Sequence, residues 1–213
     1  MPQPRRSFIA TLASLSGLAA LDLARPAEAF ASEANLSTWD MTWLDQLKGK
    51  HKQVFDASHL DHALLVPVNY LDAANEVYGM SYPDVNTVIG IGGSCFPINA
   101  GDVLYAKYEI GRRWEVKDPA TGTWAMKNNF VEGTMMGKKL VGVKPLMARG
   151  TIFWQCNNAL NGIVSEIAAD MKIPFDQLNA EFVANLVPGV KLVVAHTFML
   201  GIAQEHGCAY EAL

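Results

Sequence analysis

Leu36, Trp39, Trp43, Leu44 and Leu47 recur at three- and four-residue intervals, the spacing of one helix face, with Ser37 ahead of Asp40 as a capping-box-like start and Gly49 as a stop. That pattern predicts a short amphipathic helix. Residues 50–57 read as a strand and 62–77 as a helix ended by Gly79, with Pro67 in its early turns, where a missing N–H costs least. The β-branched run 84–91 predicts a strand stopped by Gly92-Gly93, and a helix is expected over 99–110. Between Gly111 and Gly137 the periodicity fades, and Asp118-Pro119-Ala120-Thr121-Gly122 is strong turn chemistry, so 111–137 reads as an excursion loop or small hairpin. Beyond it come a helix over 138–149, a buried strand at 151–155, and two helices at 159–171 and 174–186. A turn at Pro188-Gly189, a strand at 190–195, a helix at 197–206 and a short strand at 208–213 complete the chain. This alternation predicts an α/β fold, a three-layer sandwich on a mostly parallel sheet of about five strands.

The first residues follow a different pattern. Arg5-Arg6-Ser7-Phe8-Ile9 precedes a mildly apolar, Ala/Leu-rich run over 9–23, and Ala27-Glu28-Ala29 supplies an A-x-A cleavage site, with Ala29-Phe30-Ala31 as a second candidate. The order resembles a twin-arginine export signal. The apolar run holds 15 residues, interrupted by Thr11, Ser14, Ser16 and Gly17, short of the ~20 that a spanning helix needs. No permanent membrane anchor is expected. The chain of 213 residues then divides into a signal over 1–29 and a single domain over 30–213, with a periplasmic destination.

Composition narrows the function. Seventeen Lys+Arg against 21 Asp+Glu give a net charge of −4, and loss of 1–29 removes three arginines, Asp22 and Glu28 to leave −5. Such a field does not gather a polyanion, so nucleic acid is not an expected partner. Three cysteines are too few for a disulfide scaffold.

In parallel sheets ligands bind beyond the carboxyl ends of the strands, where loops and helix N-termini face a crevice. Four predicted strands end there in Asp56 with Ser58, His59, Asp61 and His62; in Gly92-Gly93-Ser94-Cys95; in Cys156-Asn157-Asn158; and in His196-Thr197. Cys156, between an apolar strand and a helix start, reads either as a nucleophile whose thiolate a helix N-terminus would favour or as a small buried hydrophobe. Asn157 and Asn158 either orient a ligand or cap the helix. Gly93 and Ser94, at the end of the second strand, are candidate substrate-binding residues in a turn without the G-x-G-x-x-G order or the P-loop lysine, so no nucleotide cofactor is implied. Cys95 is a candidate partner thiol for Cys156. Asp56, His59 and His196 are acid–base candidates. His59, His62 and His196 lack the H-E-x-x-H or C-x-x-C spacing of a metal site, so no metal is expected. Trp154 reads as a core anchor or as the wall of an apolar ligand pocket.

The stretch Ala148-Arg149-Gly150-Thr151-Ile152-Phe153-Trp154-Gln155-Cys156-Asn157-Asn158-Ala159-Leu160 resembles the DsrE-like family of the YchN-like fold, as do Leu186-Val187-Pro188-Gly189-Val190-Lys191-Leu192-Val193-Val194-Ala195 and the ending at 204–210. The middle of the chain, with Asp84-Val85-Asn86 and Ala106-Lys107-Tyr108, looks like an exported branch of that family. The resemblance implies a homo-oligomer, trimer or hexamer. It also implies a persulfide-carrying cysteine after the third strand, the place Cys156 occupies. Three functions follow as expectations. The first is a periplasmic sulfur-transfer or thiol-redox protein that works through Cys156 with a small-molecule or sulfur-carrying partner. The second is a cofactor-independent lyase or isomerase acting on a small apolar molecule, and the third a non-catalytic binding or assembly protein.

Overall fold

The computed structural model describes residues 39–213. The twin-arginine segment, its cleavage sites and the start of the first predicted helix therefore lie outside the described residues. What is described of that helix is a 3-10 turn, Thr42–Gln46, that buries Trp43 and Leu44.

The chain builds β1 (His51–Ala57), α1 (Leu65–Tyr78) and β2 (Val85–Ile91), then three short helices, α2 (Phe96–Asn99), α3 (Asp102–Tyr108) and α4 (Ile110–Arg113). A hairpin of β3 (Thr134–Met136) and β4 (Lys139–Val141) leads to α5 (Val143–Ala148), β5 (Ile152–Cys156), α6 (Asn157–Met171) and α7 (Phe175–Ala184). The chain then adds β6 (Lys191–Val193), α8 (His196–Glu205) and β7 (Ala209–Ala212). Five strands form one sheet in the order β6-β5-β2-β1-β7, and every pairing in it is parallel. The protein is an α/β three-layer sandwich with helices on both faces of this sheet.

Period-two alternation assigns the faces. Phe55, Ile89 and Phe153 lie opposite one another in register and pack with Val68 and Leu71 of α1 and with Leu146 of α5. Val54, Val88 and Trp154 point the other way, against Trp43 and against Met199, Leu200 and Ala203 of α8. β2 is buried along its whole length, as the central strand of a parallel sheet must be. α1 ends where its pattern predicts, at Gly79 in the left-handed conformation (φ 65°), which costs glycine nothing sterically.

Two expected helices differ. The helix over 99–110 is broken twice. The Gly101 N–H turns outward to the Asn185 carbonyl (2.8 Å), and Glu109 adopts a left-handed conformation (φ 53°) between α3 and α4. Asn128 takes over at the break: its buried amide donates to the carbonyls of Pro97, Ile98 and Ala100 at 2.7–3.0 Å and accepts from the Phe130 N–H. The excursion is thereby stapled to α2. The helix over 138–149 is reduced to α5, because Gly137 (φ 64°) reverses the chain and 139–141 pair with 134–136 as a strand.

Strand order places a topological switch at β1. From β1 the chain passes through α1 to β2 on one side, whereas β7 reaches the other side of β1 by way of α8, on the opposite face. A crevice beyond the carboxyl ends of strands at such a reversal is the usual ligand position. Among the described residues no helix is long and apolar enough to cross a membrane.

Candidate functional site

Cys156 ends β5 and caps α6. Its Sγ accepts the Ala159 N–H at 3.4 Å, the third residue of the helix it begins. A second N–H reaches the same sulfur from another helix: His196, the first residue of α8, donates at 3.2 Å. Each donor is one that an α-helix leaves without an internal partner. Two helix N-termini therefore converge on one thiol that is 4% exposed. Capping of α6 was expected from Asn157 or Asn158; the sulfur does it instead, leaving Asn157 half-buried and Asn158 exposed on the first turn.

The His196 ring is held at both nitrogens. Trp154 Nε1 donates to Nδ1 at 3.1 Å, and an indole N–H can only donate. Nδ1 is therefore the acceptor, and the neutral ring carries its hydrogen on Nε2, which donates to Asp56 Oδ1 at 2.7 Å. The other oxygen, Asp56 Oδ2, accepts from the Tyr210 hydroxyl at 2.9 Å. That bond to the carboxylate raises the Tyr210 phenol above its ordinary value. Sheet register makes the chain possible, because Asp56, Gly90 and Trp154 stand side by side on the α8 face. Gly90 is the gap in that row: a Cβ there would lie 2.4 Å from Trp154 Cζ2 and 3.0 Å from His196 Cε1.

Buried amides back the site. Gln155 Nε2 donates to the Gly92 carbonyl (3.0 Å), and Asn99 Nδ2 donates to Gln155 Oε1 and to the Trp154 carbonyl (3.1 Å each). Together they hold the Gly92-Gly93 turn against β5. Trp114 Nε1 closes the turn from the excursion by donating to the Gly93 carbonyl at 3.1 Å.

The structure thus brings together Cys156, His196, Asp56 and Trp154 from the predicted set. Trp154 is fully buried, so it acts as a hydrogen-bonding core residue rather than as an open pocket wall. His59 and Ser94 are exposed in their loops, and His62 faces its neighbour Asp61, at 3.6 Å. Among the described residues no three His, Cys, Asp or Glu side chains are grouped to hold a metal ion. Cys95 does not pair with Cys156: all three cysteines are free. Cys95 is fully buried, and burial pushes its thiol up to about 11, as it does that of Cys208. Tyr210, Gln155 and Asn99 were missed by sequence reasoning. Tyr210 shares a face with Asp56 through the β1–β7 register, Val54 opposite Tyr210, which alternation within either strand alone does not specify. A cleft of about 700 Å³ lies elsewhere, between the start of α3, the excursion and residues 184–188.

No family model matches the chain, and neither does any curated protein. Among solved structures, a protein of unknown function from Methanobacterium thermoautotrophicum is similar at 15% identity and a TM-score of 0.38, over 76% of this chain and 99% of that one.

Proposed function

We propose that this is a sulfur-transfer protein of the DsrE-like type, exported to the periplasm, in which Cys156 accepts and passes on a sulfur atom. The observation that carries the reading is the pair of N–H donors, from Ala159 and His196, aimed at one sulfur from two helix N-termini. A neutral thiol is a weak acceptor, so two donors on one sulfur suit a sulfur that carries negative charge during reaction. Cys95 and Cys208 are unsuited to the role, because burial holds both as thiols.

In the proposed step the Cys156 thiolate attacks the outer sulfur of a persulfide or polysulfide. The new Sγ–S bond forms as the donor's S–S bond breaks, and the electron pair leaves on the donor's remaining sulfur as a thiolate. No net oxidation occurs. The lyase or isomerase reading gains no support from the Asp56–His196 pair, since both ring nitrogens and both carboxylate oxygens are already engaged within the protein.

The test is peptide mass spectrometry after exposure to polysulfide. One added sulfur is expected on Cys156 and none on Cys95 or Cys208, with the sulfur released to a small thiol acceptor. Modification spread over all three cysteines, or undiminished transfer by Cys156→Ser, would overturn the proposal.

A further inference from the structure

We infer that Trp154, Asp56 and Tyr210 are positioning residues for Cys156, acting through the His196 ring to keep the His196 backbone N–H on the sulfur. This deepens the proposed function and rests on it for the identity of the reacting group.

His196 is two things at once. Its backbone N–H is the donor that α8 delivers to Cys156, and its imidazole is the anchor by which the start of α8 is tied to the sheet. β6 runs alongside β5 as far as Val193, opposite Cys156, but the His196 N–H lies beyond that pairing, in the first turn of α8, where a helix leaves its N–H groups without internal partners. The ring bonds carry the hold past the end of that pairing, to the first residue of α8. Trp154 holds Nδ1 from β5, the strand that carries Cys156 two residues on. Asp56 holds Nε2 from β1, and Tyr210 holds Asp56 from β7. Three strands thus fix one ring whose own main chain touches the thiol.

The bonds are also matched in polarity. Trp154 donates and Asp56 accepts, so only the Nε2–H ring satisfies both, and a flipped ring satisfies neither. Gly90 keeps the space between indole and imidazole open, where a Cβ would meet both rings. A buried tryptophan needs a partner for its N–H, but a backbone carbonyl would have met that need. The use of a ring whose main chain faces the thiol is what links this network to Cys156.

The proposal is tested by the rate of Cys156 alkylation with iodoacetamide across pH, followed by peptide mass spectrometry in the full-length protein. Tyr210→Phe, on the exposed edge of the sheet, leaves the core intact. It is expected to slow alkylation two- to threefold, and Trp154→Phe about fivefold, the loss of roughly one hydrogen bond. In a His196→Ala background neither change is expected to slow it further, because each acts only through the ring. Asp56→Asn, which keeps an oxygen acceptor for Nε2–H, restores most of the rate lost in Asp56→Ala. Losses that add in the His196→Ala background, unchanged or faster alkylation in the single variants, or a Cys156 unreactive in every form would overturn the inference. Alkylation needs no sulfur donor, so a failure of persulfide formation with the relay effects intact would count against the proposed function alone.

Discussion

At the scale of the residue, Gly90 shows how a missing side chain organises a site. It stands between Asp56 and Trp154 in register, and the volume it leaves is filled by the indole and imidazole edges. Gly90→Ala would place its methyl 2.4 Å from Trp154 Cζ2, a contact that must be relieved by moving a fully buried ring. Overpacking of this kind costs about 1–3 kcal/mol. Urea denaturation of Gly90→Ala should show a lowered midpoint with an unchanged slope, and a midpoint equal to the parent would mean that the rings move freely. In sequence, Gly90 is one glycine in an apolar strand, and nothing local marks it. Cys156 and His196 were legible because they lie at strand ends; the bond between them was not, since it depends on the α8 main chain rather than on a side chain.

At the scale of the element, α3 and α7 are joined by a small polar cluster. Lys107 Nζ lies 2.7 and 2.8 Å from the two Glu181 oxygens, and the Tyr108 hydroxyl donates to Glu181 Oε2 at 2.7 Å. The Lys107 ammonium first, and Tyr108 second, hold the Glu181 carboxyl below its ordinary value. A carboxyl lowered by folding stabilises the folded state above its unfolded pKa, about 4.3, and loses that contribution as pH falls through the lowered folded value. Glu181→Gln should therefore be less stable than the parent at neutral pH, and the difference should shrink as pH falls below about 4. A constant gap across that range in denaturation experiments would show that charge is not its source. The pair is half solvent-exposed on the Lys107 side, so its effect is modest. The elements themselves were largely readable: β1, β2, β5, β6 and β7 and helices α1, α6, α7 and α8 fall within a few residues of their predicted spans. Where periodicity misled, a partner outside the predicted segment had decided the local conformation. Asn185 drew the Gly101 N–H out of a helix, and pairing with 134–136 made a strand of 139–141.

At the scale of the whole molecule, the cysteines and the proposed export belong to one argument. The described fold closes with all three thiols free, and Cys95 and Cys208 are buried with their pKa raised to about 11. No disulfide is needed to complete the core, so the domain can fold before it leaves a reducing compartment, as a twin-arginine route for folded cargo requires. In the oxidising compartment that the proposed export implies, burial keeps Cys95 and Cys208 protonated, and Cys156 is set apart by the two helix N–H groups on its sulfur. Expression of the full chain in a bacterium with that route should yield a periplasmic protein whose first residue is Phe30 or Ser32, according to which A-x-A site is cut. Replacing Arg5 and Arg6 together by Lys should retain the precursor inside the cell. N-terminal sequencing of fractionated cells decides it: an uncut chain in every fraction, or export undiminished by the double replacement, would remove the twin-arginine reading and with it the periplasmic setting for Cys156.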